Sequence, residues 1–387
     1  MNEPALQPPD AGSSGRLAPP AALGMPMAEV DTPALLLDLD AFDYNLQRMA
    51  QSLRGTGLRL RPHAKSHKCP EIALRQVALG ASGVCCQKVS EAEAMVAGGI
   101  QDVLVTNEVV GPAKLARLAQ LARRAKVGVC VDDAGNAEAV ALAAREAGVM
   151  LDVLVELDVG ANRCGVAPGE AAVALARIVA RTEGLRLAGF QAYQGSAQHL
   201  RTHLERREAI QDAVAKVRST LELLQRAGLE APAVTGAGTG TYLLEAMSEV
   251  YTELQPGSYV FMDADYGRNL GEDGEAVHEF RHSLFVLATV MSRPVPFRAV
   301  VDAGLKAHSV DSGMPLVADV PGALYTRASD EHGVVELSEG SQLRLGQKVR
   351  LIPGHCDPTV NLHDWLVCCR NGHVEALWPI AARGAFF

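Results

Sequence analysis

The stretch Arg61-Pro62-His63-Ala64-Lys65-Ser66-His67-Lys68 closes an apparent β-strand that begins near Leu58. A strand of a parallel barrel is normally apolar on both faces. Here alternate positions carry Arg59, Arg61, His63 and Lys65, so an extended chain points all four to one side. Leu60, Pro62 and Ala64 take the other side. Burying such a basic row without partners is costly. One reading is a surface edge strand, which Pro62 would tolerate. The other is a lysine at a strand's C-terminal end that awaits a carbonyl, with an anionic cofactor nearby.

The surrounding pattern decides between them. Short β-rich runs at 32–39, 58–65, 83–88, 102–106, 126–131, 151–158, 186–193 and 231–235 alternate with amphipathic helical stretches. Helices are expected over 40–53, from Pro70, and over 90–97, 112–124 and 136–147. Pro70 suits a first helical turn, and Ser90 followed by Glu93 reads as a capping box. About eight βα units before residue 245 predict an α/β fold built on a closed (β/α)8 TIM barrel. After Arg281 the runs 284–291, 298–301, 348–352 and 365–369 are separated by turn signals such as Asn371-Gly372. The division expected is a flexible arm over 1–30, a cofactor-binding barrel over 31–275 and a β-rich C-terminal domain over 276–387.

Composition narrows the function classes. In 387 residues, 36 Lys+Arg against 45 Asp+Glu leave a net charge of −9. That balance argues against a nucleic-acid or anionic-membrane surface, so any anion site must be local. Hydrophobic residues make up 48% and charged residues 21%, enough for a large core and an ordinary surface. No apolar run approaches membrane-spanning length, and Met1-Asn2-Glu3-Pro4 does not open a secretory signal. The 8 cysteines include the adjacent pairs Cys85-Cys86 and Cys368-Cys369, which face opposite ways on a strand and cannot easily bridge. They read as small buried hydrophobes in a reducing, cytoplasmic setting.

In this barrel type, strand C-terminal ends build the active site. Lys65, Gln87, Asn107, Arg163 and Tyr193 recur at or just past successive strand ends, with His199 shortly beyond. After the eighth run comes Thr235-Gly236-Ala237-Gly238-Thr239-Gly240-Thr241-Tyr242. Its glycines let backbone N–H groups approach a phosphate, and such barrels hold phosphate in their last loops. The order G-x-G-x-x-G is absent, which excludes a Rossmann dinucleotide site. Gly257-Ser258 offers a second phosphate contact. In Gly354-His355-Cys356-Asp357-Pro358 an extended chain projects His355 and Asp357 together, a mixed N/O pair suited to Mn²⁺, Mg²⁺ or Zn²⁺. An Asp-Pro turn beside a histidine is the plainer alternative.

Taken together, RPHAKSHKCPEIALRQ from Arg61, GVCCQKVSEAEA from Gly83, NEVVGPAK from Asn107, TELQPGSYVFMDADYG from Thr252, VVDAGLKAHSVDSG from Val300 and PGHCDPTVNLHDW from Pro353 resemble one family. It is the D-threonine aldolase family of fold-type III pyridoxal-phosphate enzymes, related to alanine racemase; 3-hydroxy-D-aspartate aldolase looks equally close over parts of the C-terminal half. The resemblance implies that Lys65 carries pyridoxal 5'-phosphate and that Arg163 faces its ring nitrogen. Gln87 and Tyr193 lie near the cofactor, and Gly238, Thr239, Gly240, Gly257, Ser258 and Tyr266 hold its phosphate. His355 and Asp357 are implied as ligands of a divalent metal, Mn²⁺ or Mg²⁺, and His199 as a histidine beside the reacting hydroxyl. The implied activity is retro-aldol cleavage of D-3-hydroxy amino acids to glycine and an aldehyde, by a homodimer. The alternatives are 3-hydroxy-D-aspartate aldolase, a D-serine dehydratase-like lyase and a silent cofactor carrier. Asp357, where dehydratases of this type resemble His-x-Cys, favours the aldolase. A second substrate carboxylate would need a cationic or metal contact, for which Arg268 and His308 are candidates.

Overall fold

The computed structural model describes residues 17–387. An eight-stranded parallel sheet forms the barrel: β2 (Arg59–Leu60), β3 (Val84–Cys86), β4 (Asp102–Glu108), β5 (Lys126–Val131), β6 (Leu151–Glu156), β7 (Leu185–Gln191), β8 (Ala233–Gly236) and β9 (Glu253–Leu254). The order β2-β9-β8-β7-β6-β5-β4-β3 closes on itself where Cys85 N–H donates to Pro62 O (2.8 Å) and Ser82 N–H to Leu60 O (2.8 Å). Helices α2 (Pro70–Ala78), α3 (Val89–Ala97), α4 (Pro112–Leu121), α5 (Ala134–Ala147), α6 (Glu170–Arg181), α7 (His203–Arg226) and α8 (Tyr242–Ala246) connect the strands. Pro70 and Pro112 occupy first turns, where a missing N–H costs nothing. The 24-residue α7 opens on a capping box between Thr202 and Glu205. Among the described residues no helix is long and apolar enough to cross a membrane.

The second sheet is mixed. Its main path is β13 (Leu324–Ala328), β14 (Gly333–Glu336), β11 (Arg298–Val301), β10 (Leu284–Val295), β1 (Ala34–Asp38), β16 (Trp365–Arg370) and β17 (His373–Pro379). Strand β15 (Lys348–Ile352) pairs with β10 and with β12 (Leu316–Val317). The 32–39 run is therefore not the first barrel strand. Strand β1 sits between β10, antiparallel, and β16, parallel, and α1 (Leu39–Ser52) leads from it toward the barrel. The barrel's eighth strand is the two-residue β9, too short to leave a periodic signal.

Local expectations also shift. The loose-arm expectation for residues 1–16 lies outside the described residues. From Leu17 the chain is docked on the second sheet: Trp365 Nε1 donates to Leu17 O (2.8 Å), Gly24 N–H to Val374 O (2.8 Å) and Met27 N–H to Gly372 O (2.8 Å). The capping box expected at Ser90 does not form. Helix α3 starts at Val89 without a side-chain cap, Ser90 Oγ donates to Phe387 O (2.6 Å) and Glu93 pairs with Arg117. Among the described residues no two cysteines are joined in a disulfide, and all eight but Cys164 are buried.

The basic row of β2 has partners. Arg61 donates from Nε to Glu253 Oε1 (2.9 Å) and from Nη1 to Asp102 Oδ1 (2.7 Å), while Arg59 Nε reaches Glu253 Oε2 (3.1 Å). Arg61 and Glu253 are buried, and each has a second opposite charge, Asp102 and Arg59 respectively, so neither buried charge is left uncompensated. Above this polar floor, Cys85, Leu104, Cys130 and Leu154 fill the barrel with an apolar layer. The cavity opens above that layer.

Candidate active site

The row's upper half turns out of the strand. After His63, which keeps extended geometry, the chain enters a 3-10 turn over Ala64–Ser66, which lifts Lys65 to the mouth of the barrel. His63 organises this turn. Its Nδ1 accepts from Lys65 N–H (3.3 Å), which leaves Nε2 as the donor toward Gln87 Oε1 (3.2 Å) and Thr106 Oγ1 (3.0 Å). Burial and the nearby Lys65 hold the His63 imidazole well below its ordinary range, so it is neutral at physiological pH. Burial opposes the Lys65 ammonium, but the Tyr193 phenol, once ionised, and the Asp357 carboxylate outweigh it and hold the lysine above its ordinary value. Lys68 points elsewhere and donates to Ala385 O (3.4 Å).

A cavity of about 380 Å³ spreads from Lys65 across the barrel's C-terminal end to the loop after β15. Of the residues proposed from sequence, Lys65, Gln87, Arg163, Tyr193, His199, Gly238, Thr239, Gly257, Ser258, Tyr266, His355 and Asp357 all line it. Gly240 does not. Its N–H is taken by Gln198 Oε1 (2.9 Å), and it borders a neighbouring apolar hollow instead. At the end of β4, Thr106 rather than Asn107 faces the cavity.

Arg163 rides on the loop after β6, which Asp158 folds by accepting from Gly160 N–H and Asn162 N–H, both at 3.0 Å. Gly165 returns the loop at φ +103°, where a Cβ would lie 2.5 Å from Asp158 N. The guanidinium stands 5.9 Å from the Tyr193 ring centre and 3.8 Å from Glu156 Oε1. Burial and the neighbouring Glu108 push the Glu156 carboxyl up to about 8. The glycine loop after β8 packs tightly: a Cβ on Gly238 would fall 2.5 Å from the Gln198 side chain, and one on Gly257 3.0 Å from His63 O. Among the described residues no acceptor takes the N–H groups of Gly238, Thr239 or Gly257. Burial drives the Tyr193 and Tyr266 phenols above their ordinary range, which keeps both neutral.

The second sheet supplies the far wall. Strand β15 leads into Pro353-Gly354-His355, and α9 (Cys356–Val360) begins at once, so this segment is helical rather than extended. His355 and Asp357 still face the same cavity, because His355 keeps extended geometry just before the helix. Gly354 is required: a Cβ there would meet Gly313 O at 2.0 Å. That close approach brings Asp311 Oδ2 to 2.7 Å from His355 Nδ1. A carboxylate on one ring nitrogen fixes the other for a metal. The Cys356 thiol is buried and held well above its ordinary range, first by burial. The barrel loop is tied to this one through Cys356 N–H to Asp263 Oδ2 (2.9 Å), Ala264 N–H to Pro353 O (3.0 Å) and Asp265 N–H to Gly354 O (3.2 Å). His199 Nδ1 lies 2.8 Å from Asp265 Oδ2.

Sequence reading gave no role to Thr106, Asp263, Asp265, Asp311 or to Gln191 and Gln255, which line the cavity and bond each other through Gln191 Nε2 to Gln255 Oε1 (3.0 Å). Asp263 and Asp265 lie in a motif already quoted, but the partners that tie them to the cavity, Cys356 and His199, are remote in sequence. Arg268 and His308 are not in the cavity: Arg268 Nη2 donates to Asp265 Oδ1 and Ser312 O (2.8 Å), and His308 is buried against Tyr325 Oη (3.1 Å). Glu108, Asp132 and Cys164 also bring three potential ligand atoms within 4.8 Å of one another. Burial and Glu108 hold the Cys164 thiol up at about 11, so it stays protonated and is a poor ligand.

Residues 37–265 match the family described as alanine racemase, N-terminal domain, and residues 283–369 match a serine dehydratase domain. The chain is 53% identical over 369 residues to a D-threonine aldolase from Arthrobacter sp., covering 95% of this chain and 97% of that protein. It is 49% identical over 369 residues to a 3-hydroxy-D-aspartate aldolase of Paracoccus denitrificans (strain Pd 1222), covering 94% and 95%. The crystal structure of D-threonine aldolase from Filomicrobium marinum superimposes with a TM-score of 0.92 at 52% identity, covering 96% of this chain and all of that one. A barrel whose end carries Lys65, closed by a sheet that brings His355 and Asp357 over it, thus has close counterparts along nearly its whole length: the chain belongs to the alanine-racemase-like, fold-type III family of pyridoxal-phosphate enzymes, in the subfamily of D-threonine aldolase and 3-hydroxy-D-aspartate aldolase.

Proposed function

We propose that this protein is a pyridoxal-phosphate- and divalent-metal-dependent lyase that cleaves D-3-hydroxy amino acids of the D-threonine type to glycine and an aldehyde. The observation that carries the reading is convergence. Lys65, Arg163 and the glycine loop come from the barrel, His355 and Asp357 come from the second sheet, and all face one cavity.

The residues fit the cofactor. The free N–H groups of Gly238, Thr239 and Gly257 suit a phosphate, and the glycines leave no Cβ to block its approach. Lys65 would hold the cofactor through its carbonyl carbon, and Arg163, a cation at any physiological pH, would stand by its ring nitrogen. Bound pyridoxal phosphate supplies the electron sink for Cα–Cβ cleavage. The donor set of His355 and Asp357 suits Mn²⁺ or Mg²⁺, with water in the remaining positions. A divalent ion there supplies Lewis-acid activation of the β-hydroxyl. His199 accepts the hydroxyl proton at Nε2, since its Nδ1 is engaged by Asp265. The neutral phenols of Tyr193 and Tyr266 wall the cavity without competing for that proton.

Within this reading, D-threonine-type substrates are favoured over 3-hydroxy-D-aspartate. Among the described residues, Lys65 and Arg163 are the only lysine or arginine lining the cavity, and both are committed to the cofactor. A cytoplasmic setting accords with the absence of disulfides among the described residues, and the homodimer belongs to the same proposal. The test is a parallel assay of D-threonine, D-3-phenylserine, 3-hydroxy-D-aspartate and D-serine, with and without Mn²⁺. Metal-dependent release of glycine from the first two at the highest kcat/KM is expected. Preferred release of ammonia from D-serine would point to a dehydratase instead.

A further inference from the structure

Asp265 stands where the two halves of the cavity meet. Its carboxylate is 4% exposed as a residue, and its backbone N–H is held by Gly354 O, next to His355. Three cationic or imidazole groups converge on it: Arg201 and Arg268 share Oδ1, while His199 Nδ1 lies 2.8 Å from Oδ2. Arg201 is braced further by its Nη1 donating to Asp265 O (2.8 Å) and Asn269 Oδ1 (2.9 Å). Burial works against the Asp265 charge, but the bonds from Arg201, His199 and Arg268 outweigh it and hold the carboxyl below its usual range. An ionised carboxylate only accepts, so the proton of this pair lies on His199 Nδ1. The lone pair is then left on Nε2.

His199 needs such a tether. It ends a four-residue 3-10 turn with a side chain 57% exposed, so little packing fixes its ring. The Tyr266 ring, 6.4 Å away centre to centre and tilted, guides it only loosely. Of the bonds made by the imidazole within the chain, the one to Asp265 is the one that sets both rotamer and tautomer. Arg201, braced by its further bonds to Asp265 O and Asn269, is enough to anchor the carboxylate without Arg268, so that the oxygen facing His199 cannot rotate away.

We propose that Asp265 is a positioning residue for the reaction: it holds His199 with Nδ1 protonated and Nε2 turned to the cavity as acceptor for the β-hydroxyl proton. This rests on the reading of His199 as that acceptor. The test is a double-mutant cycle on the holoenzyme, loaded with pyridoxal phosphate and Mn²⁺, with D-threonine as substrate. His199→Ala should lower kcat by about 10²-fold or more. Asp265→Asn should lower kcat by at least about tenfold with KM and the visible cofactor band little changed, because an amide can present N–H to Nδ1 and favour the wrong tautomer. The double variant should be no slower than His199→Ala alone, since a positioning residue has nothing left to position. Losses that multiply in the double variant, or an unchanged kcat in Asp265→Asn, would overturn the proposal while leaving His199 as the acceptor. Full activity in His199→Ala would instead remove the reading on which it rests. Arg268→Gln separates positioning from folding, because it takes one cation from Oδ1 and leaves the bond to His199. It should keep kcat within about twofold. An equal loss in Arg268→Gln and Asp265→Asn would assign the effect to the loop's integrity and overturn the proposal.

Discussion

Glu245 gives the account a quantitative handle on the glycine loop. It lies on α8, 1% exposed, and its Oε1 accepts from Thr241 Oγ1 at 2.8 Å. Thr241 is held by Gln198 Nε2 (2.8 Å), and Gln198 Oε1 in turn takes Gly240 N–H, so Glu245 anchors the loop from behind. Its Oε2 is buried with no partner among the described residues, and burial pushes the carboxyl from 4.5 up to about 7. A folded-state value above the unfolded one means the neutral acid is favoured by folding. Its stabilisation is complete below about pH 4.5 and is lost as pH rises through about 7. The difference of about 2.5 units (7 − 4.5), at 1.36 kcal/mol each, is worth roughly 3 kcal/mol once the carboxylate is ionised. Glu245→Gln keeps an acceptor for Thr241 and cannot ionise. It should therefore stabilise the protein by up to about 3 kcal/mol near pH 8.5 and change it little near pH 4.5. Urea denaturation of both proteins at the two pH values measures this directly. An advantage of equal size at both, or a loss at high pH, would refute the argument from desolvation.

Three further outcomes test the site. Borohydride should fix pyridoxal phosphate to a peptide through Lys65, and Lys65→Ala should lack the visible band that Lys68→Ala retains, because Lys68 points to Ala385 O. Chelation should abolish cleavage without releasing the cofactor, Asp357→Ala should behave as the chelated protein that Mn²⁺ cannot rescue, and Asp357→Cys should shift metal preference toward zinc. Gly238→Val should weaken cofactor retention on dialysis, since even a Cβ would meet Gln198 at 2.5 Å and displace the residue that holds Gly240.

The candidate site was legible where chemistry is local in sequence. A basic row on a barrel strand pointed to Lys65, successive strand ends pointed to Gln87, Arg163 and Tyr193, and the family resemblance supplied roles that spacing alone left open. What stayed hidden depends on partners far along the chain. Asp311 supports His355 only because Gly354 lets the segment at Gly313 approach, and Asp265 meets His199 across 66 residues. The placement of β1 was unreadable for the same reason: an apolar five-residue strand carries no mark of which sheet it joins. Strand β9 failed in the opposite way, since two residues cannot express a period, yet Glu253 on it neutralises Arg59 and Arg61. The extended reading of His355-Cys356-Asp357 missed the helix that starts there, although both His355 and Asp357 still line one cavity.

The most direct measurement of the central claim is the product balance from D-threonine with pyridoxal phosphate and Mn²⁺ present. Cleavage of Cα–Cβ yields glycine and acetaldehyde in equal amounts, whereas loss of the hydroxyl yields 2-oxobutanoate and ammonia. The arrangement of Lys65, His199, His355 and Asp357 predicts glycine and acetaldehyde at one to one, with no 2-oxobutanoate and no turnover of L-threonine. Formation of 2-oxobutanoate and ammonia as the main products would contradict it.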